Sequence, residues 1–138
     1  MAARFNDWFR QAKRDLDHAR RARESGDHEW ACFAAQQCAE KAVKAVFMKG
    51  NREAWGHSVA ALLRELPPPW QAGEKLLEAG KELDKHYIPP RYPNSYPQGA
   101  PYEYYTRDEA DRAIRLAECI VTFCEGLLAG HSPSSDAA

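Results

Sequence analysis

His28-Glu29-Trp30-Ala31-Cys32-Phe33-Ala34-Ala35-Gln36-Gln37-Cys38-Ala39-Glu40-Lys41-Ala42-Val43-Lys44-Ala45-Val46-Phe47-Met48-Lys49 is the stretch that decides the fold. It reads as a helix, and its apolar residues Trp30, Cys32, Phe33, Ala35, Ala39, Val43, Val46 and Phe47 cannot share one narrow stripe. The polar residues gather instead in a strip formed by Gln36, Gln37, Glu40, Lys41 and Lys44. A helix that is apolar over most of its circumference is packed by neighbours on several sides, so it is expected at the centre of a bundle. Gly50 ends it.

The flanking sequence supplies those neighbours. Upstream, a first helix is expected from Asn6, as its N-cap, to Arg23 or Glu24, with Trp8, Phe9, Ala12, Leu16 and Ala19 three or four positions apart or adjacent. Gly26 stops it, and Asp27 is placed to cap the central helix. Downstream, Ser58 to Leu66 predicts a short helix with Val59, Leu62, Leu63 and Leu66 on its buried edge. Pro67-Pro68-Pro69 ends it, because proline lacks the amide donor and clashes with the preceding turn. A fourth helix is expected over Gln71 to His86, with Leu76, Leu77 and Leu83 at helical spacing. Thr106-Arg107-Asp108-Glu109 is a capping box opening the last helix. There Ala110, Ile114, Ala117, Val121, Cys124 and Leu128 alternate spacings of four and three, the seam of a bundle helix.

No segment alternates as a strand does. The expected fold class is all-α, an antiparallel bundle of about five helices with a long Tyr/Pro-rich loop before the last one. Residues 1–130 are expected to form one domain, with 131–138 a flexible tail. The apolar surplus of the central helix, together with Ala113 and Ile120 of the last helix, leads to the expectation of a homodimer.

One connection departs from bundle habits. Tyr87 to Tyr105 is far longer than the usual helix–helix link of roughly 2–8 residues. It holds all six tyrosines and five of the nine prolines, whereas disordered linkers avoid aromatics. Two compatible readings follow. The loop is a packed cap over one end of the bundle, or an ordered binding loop on a rigid scaffold. In the second reading Arg91, set between Pro90 and Tyr92, offers a planar fork for phosphate, and Tyr92 offers a face for a base, with Asn94 three positions after Arg91.

Composition narrows the function classes. Of the 138 residues, 44% are hydrophobic and 28% charged, the profile of a soluble globular chain. Nineteen Lys and Arg against twenty Asp and Glu leave a formal charge of -1, so any nucleic-acid contact needs a local patch. No run approaches the roughly 18–20 apolar residues of a membrane helix, and Met1 to Arg10 has no apolar signal core. A cytoplasmic location without membrane contact is expected. Cys32, Cys38, Cys119 and Cys124 form neither a Cys-x-x-Cys pair nor a zinc-type ladder and read as buried free thiols. No metal and no cofactor are expected.

Three motifs carry a family resemblance. Asp84-Lys85-His86-Tyr87-Ile88-Pro89-Pro90-Arg91-Tyr92-Pro93-Asn94 resembles the Tyr-Ile-Pro-x-Arg-Tyr-Pro-Asn/Asp signature of bacterial and archaeal HEPN proteins. Ala35 to Ala45 is similar to that family's helix-two motif, and Gly56-His57-Ser58-Val59 to its Gly-His-Ser/Asp start of helix three. The resemblance covers about Asn6 to Leu128. It implies a dimeric helical bundle, a nucleotide or RNA ligand and, as partner, a minimal nucleotidyltransferase in a toxin–antitoxin or nucleotide-handling system. It also implies an alternative, a metal-independent ribonuclease with an Arg-x(4–6)-His motif, its arginine stabilising phosphate charge and its histidine acting as acid or base.

The chain departs from that motif. After Arg91 the histidine positions hold Tyr96, Pro97 and Gln98, and one match elsewhere, Arg23 to His28, falls in the turn between the first two helices. No catalytic residue is therefore assigned, and a binding module is expected ahead of a ribonuclease with a rearranged site or a plain scaffold. The candidate nucleotide- or phosphate-binding residues are Arg91, Tyr92, Asn94, His57, Glu40, Lys41 and Lys44. His57 has an alternative role in loop packing, and Glu40, Lys41 and Lys44 in a semi-buried ion pair or a solvated strip. His86, near a helix end, is accounted for by the dipole.

Overall fold

The computed structural model describes residues 4–130; the tail expected over 131–138 lies outside the described residues. Five α-helices follow one another: α1 (Phe5–Glu24), α2 (His28–Lys49), α3 (Val59–Arg64), α4 (Glu74–Asp84) and α5 (Arg107–Leu128). Among the described residues there is no strand.

The central position of α2 follows from its side chains. Ala31, Cys32, Ala35, Cys38, Ala39, Ala42, Val43 and Ala45 are fully enclosed, and α1, α3, α4 and α5 all pack on this helix. Alanine and cysteine on every side let four neighbours approach closely. In α1 the fully buried face is Ala12, Leu16, Ala19 and Ala22, Phe5, Trp8 and Phe9 are half-buried beside it, and most of the rest is polar or charged. Thr106 and Glu109 close the expected capping box on α5, with the Glu109 amide donating to Thr106 Oγ1 at 3.2 Å and the Thr106 amide to Glu109 Oε1 at 3.0 Å.

Four details of helix bounds, caps and apolar surplus differ from the sequence expectations. Asn6 lies inside α1, whose N-cap is Arg4; the first turn is closed by Asp7, which accepts from Arg4 at 2.7 Å and Arg10 at 2.5 Å and carries the charge the helix N-terminus favours. Asp27 is at the N-cap of α2, but its side chain makes no capping hydrogen bond. The fourth helix begins at Glu74 and ends at Asp84, shorter than the span from Gln71 to His86, with the extended Gly73 as its N-cap and Lys85 as its C-cap; a 3₁₀ turn over Pro68–Trp70 precedes it. Ala113 and Ile120, counted as surplus, are 1% and 0% exposed within the single chain. The bundle itself consumes them, so they supply no ground for a dimer.

The long loop is a packed cap. It contains two 3₁₀ turns, Pro93–Ser95 and Pro101–Glu103. Tyr96 and Tyr104 stack at 4.2 Å between ring centroids, and the Tyr104 hydroxyl donates to the Gln98 carbonyl at 2.5 Å. Tyr105 packs on the core with its hydroxyl 3.3 Å from His86 Nδ1. Tyr102, by contrast, is 68% exposed.

Candidate functional site

Asp84, the last residue of α4, builds the site. Its carboxylate accepts from Ser58 Oγ at 2.7 Å, the Val59 amide at 2.6 Å and the Ala60 amide at 3.2 Å. These are orphan donors at the start of α3, and an anion there also complements the helix dipole. Gly80 lets the two helices approach, since a Cβ on it would lie 3.0 Å from the Ala60 amide nitrogen. The start of α3 is thereby pinned to the end of α4. His57, one residue before Ser58, then meets Tyr87, three residues after Asp84.

The two rings stack, with centroids 4.7 Å apart and planes 17° from parallel. From the other side of the sequence, α2 fixes the same histidine twice. The fully buried Gln36 donates its side-chain amide to the His57 carbonyl at 2.9 Å, and Glu40 Oε2 lies 3.1 Å from His57 Nδ1. Glu40 Oε2 also takes the Lys44 ammonium at 3.1 Å. Its side chain is 7% exposed and that of Lys44 is 14% exposed, so a nearly enclosed carboxylate bridges a lysine and a histidine. Gly56, with φ of 89°, supplies the left-handed turn that leads into this arrangement.

Arg91 completes it. A turn returns its amide to the Ile88 carbonyl at 3.0 Å, and its Nε donates to the Tyr87 carbonyl at 2.7 Å. The guanidinium carbon lies 4.4 Å from the Phe33 ring centre, 4.6 Å from that of Tyr87 and 5.3 Å from that of Tyr92. Stacking of a planar cation on aromatic faces holds it in one orientation. Among the described residues no carboxylate pairs with Arg91. Most other buried or half-buried cations here do have one: Lys41 with Asp15, Lys44 with Glu40, Arg23 with Asp111, Arg20 with Glu118.

The structure thus joins Arg91 and His57 through the Tyr87 ring and ties Glu40 and Lys44 to His57, and it separates two of the candidates from them. Lys41 is held by Asp15 of α1 at 2.5 Å. Asn94 sits exposed in the turn Pro93–Ser95, in a shallow cleft of about 760 Å³ with Tyr92, Tyr96 and Gln98. Tyr92, 49% exposed, lies between the two regions. The polar strip of α2 is therefore not a solvated face, since Gln36 and Glu40 are buried. Phe33, read only as core, serves as a shelf for the guanidinium, and Asp84 as the clamp. The signal for Asp84 was its spacing of three from Tyr87; for Phe33 there was none. Among the described residues no group of three His, Cys, Asp or Glu side chains is placed to hold a metal ion, and no helix is long and apolar enough to cross a membrane.

The all-helical bundle itself is the fold of a known class. Residues 5–127 match the HEPN domain, and the chain belongs to that family. TT1696 from Thermus thermophilus, a crystal structure, superposes with a TM-score of 0.88 at 47% identity, over 90% of this chain and 98% of that one. The archaeal HEPN homologue ST0689 gives 0.76 at 44% identity, covering 93% and 99% of the two chains. A HEPN domain protein from Thermotoga maritima gives 0.73 at 43% identity, over 89% and 98%. The protein named "Putative toxin MJ1304" from Methanocaldococcus jannaschii is 28% identical over 132 residues, 88% of this chain and 86% of its own length.

Proposed function

We propose that this HEPN protein binds RNA or nucleotide phosphate through Arg91, as the binding component of a toxin-like system. The observation that carries the reading is the state of Arg91. It is fixed by its Nε and by three aromatic rings, yet has no carboxylate partner among the described residues. A guanidinium used only for structure is normally neutralised by an acid; one held still and left unneutralised is preorganised for an anion. Tyr92 beside it offers a half-exposed ring on which a base can stack. The toxin-like role draws support from the name of the Methanocaldococcus jannaschii relative. The proposed setting is cytoplasmic, with a second copy of the chain and a small nucleotidyltransferase as partners; the exposed Trp30, Ile88 and Tyr92 supply apolar surface for such contacts.

A second reading, cleavage without metal, is favoured by His57. Glu40 fixes its Nδ1, and the side chain is 56% exposed, so the ring is oriented and accessible at once. It stacks on the same Tyr87 ring that supports Arg91. In that reading the imidazole takes the proton of a ribose 2′-hydroxyl, whose oxygen bonds to phosphorus as the bond to the 5′-oxygen breaks. The imidazolium returns the proton to that leaving oxygen, and the guanidinium neutralises the pentavalent phosphate.

Both readings are tested on one preparation, by RNA binding and RNA integrity in the presence of a chelator. Arg91→Ala is expected to weaken binding by about 1.5–3 kcal/mol, the scale of a charge-assisted hydrogen bond. Arg91→Lys should not restore it, because an ammonium cannot lie flat on the rings. Unchanged affinity in Arg91→Ala would overturn the binding proposal. Cleavage by the parent chain that His57→Ala abolishes would establish the second reading, and intact RNA throughout would remove it.

A further inference from the structure

A second cationic and aromatic groove opens where the start of α1, the last turns of α2 and the segment after α2 meet. It encloses about 550 Å³. Trp8 and Trp55 provide its flat surfaces, and Lys44, Lys49 and Arg52 its cations. Trp55 is 77% exposed, the most exposed large apolar side chain among the described residues. Leaving an indole in water costs burial free energy that an ordinary surface position would avoid. Its placement is set by backbone. Asn51 adopts φ of 56°, a left-handed turn that asparagine tolerates, and carries the chain out of α2 and back along the groove.

The charges at the site are uneven. Arg4 on its rim is neutralised by Asp7 and Lys44 by Glu40, whereas Lys49 and Arg52 have no carboxylate partner among the described residues. Lys49 instead donates to the Leu128 carbonyl at 2.7 Å and lies 5.3 Å from the Phe5 ring centre, which holds its ammonium in place at the wall. Two cations without an ion-pair partner beside the exposed Trp55 indole, with the half-buried Trp8 opposite and Glu53 the one carboxylate of the lining, are a pairing that can take a phosphate and a base together. The chain as a whole is not basic, with formal charge -1, so this concentration is local. The groove also reaches the first site, because Lys44 on its wall is bound to the same Glu40 oxygen that orients His57.

We infer that this groove is a nucleotide subsite, taking one nucleoside phosphate unit with its base on Trp55 and its phosphate at Arg52 and Lys49. The inference rests on the proposed RNA- or nucleotide-binding function and assigns that function a second contact point. The unit is either a free nucleotide or one residue of a single strand that continues to Arg91.

The test is calorimetry on the full chain in chelator, with AMP as one probe and a 5′-phosphorylated octa-adenylate as the other. Trp55→Ala and Arg52→Ala are each expected to weaken a bound probe about tenfold, the scale of one lost base stack or phosphate contact. Trp55→Phe should keep most of the affinity, because a ring remains to stack on. Trp55 and Arg52 are both exposed, so these variants should melt with the parent. AMP binding that is sensitive to Trp55→Ala and not strengthened in the oligomer identifies a free nucleotide. Tighter binding of the oligomer, weakened by both Trp55→Ala and Arg91→Ala, identifies a strand spanning the two sites. Binding that Arg91→Ala weakens but Trp55→Ala and Arg52→Ala leave unchanged overturns the subsite alone. The reverse pattern overturns only the role of Arg91, and no binding of either probe to the parent chain overturns both.

Discussion

His57 and Tyr87 lie ring on ring at 4.7 Å although they stand thirty positions apart in the chain. The contact exists because Asp84 ties the start of α3 to the end of α4 through three hydrogen bonds. Two motifs that read as separate in the sequence, Gly56-His57-Ser58 and Asp84 to Asn94, are one structural unit.

That unit makes Asp84 more important than its place outside the binding face indicates. Asp84→Ala leaves the Ser58 hydroxyl and the first two amides of α3 without their acceptor. The expected cost in urea denaturation is about 2–3 kcal/mol, more than a single lost cap. Asp84→Asn, which keeps one acceptor oxygen, should lose about half of that. A loss below about 0.5 kcal/mol in the alanine variant would show that water replaces the carboxylate freely.

Glu40 and Lys44 should behave as a coupled pair. Both are nearly enclosed, with 7% and 14% side-chain exposure, so removing one partner strands the other. Glu40→Gln is expected to destabilise the chain by about 2–4 kcal/mol, and the added change Lys44→Met should recover a good part of it. Additive costs in the double variant would mean that the two side chains are solvated independently.

The pH dependence of stability has a component at His86. Burial, the main cause, holds its imidazole below the ordinary range. The neighbouring Glu109 and Glu82 draw it back upward, Lys85 pushes it further down, and the Tyr105 hydroxyl contacts Nδ1. A histidine with a depressed folded pKa binds fewer protons folded than unfolded, so stability is complete above the unfolded value of about 6.5 and declines as pH falls through it. The melting temperature should therefore drop between pH 7.5 and pH 5.5, and drop less in His86→Gln. The other histidines are common to both proteins, so the difference isolates His86. Parallel profiles for the two proteins would sink the assignment.

The four thiols should divide one against three. Cys119, expected from the sequence to be buried, is exposed, while Cys32, Cys38 and Cys124 are enclosed. Burial pushes Cys32 and Cys38 up to about 12 and raises Cys124 as well, so these three hold no thiolate near neutrality. A thiol reagent at pH 8 should modify one cysteine rapidly and the other three only on unfolding. Four equally fast thiols would show that α2 and α5 separate readily in the native state.

The sequence by itself determined the helices and their order. Apolar residues around the whole of His28 to Lys49 can be satisfied only by neighbours on every side, and that places this helix at the centre. The capping box at Thr106 and the ordered, ring-packed loop were equally legible, since each is a local pattern with a local cause. The dimer argument from Ala113 and Ile120 was not sound, because periodicity counts apolar residues without saying how many neighbours the same chain will provide. The site was legible only in pieces. Arg91, His57, Glu40 and Lys44 were identifiable by type, but so were Lys41 and Asn94, and nothing in their spacing separates the two groups. Only the tertiary structure decided that Lys41 turns to Asp15 while Lys44 turns to Glu40. The physical reason is that an ionisable side chain takes whichever partner the packing of other helices brings within reach. Here Asp15 comes from α1, His57 from the start of α3 and the Tyr87 ring from the end of α4, and no local pattern in α2 encodes where they arrive.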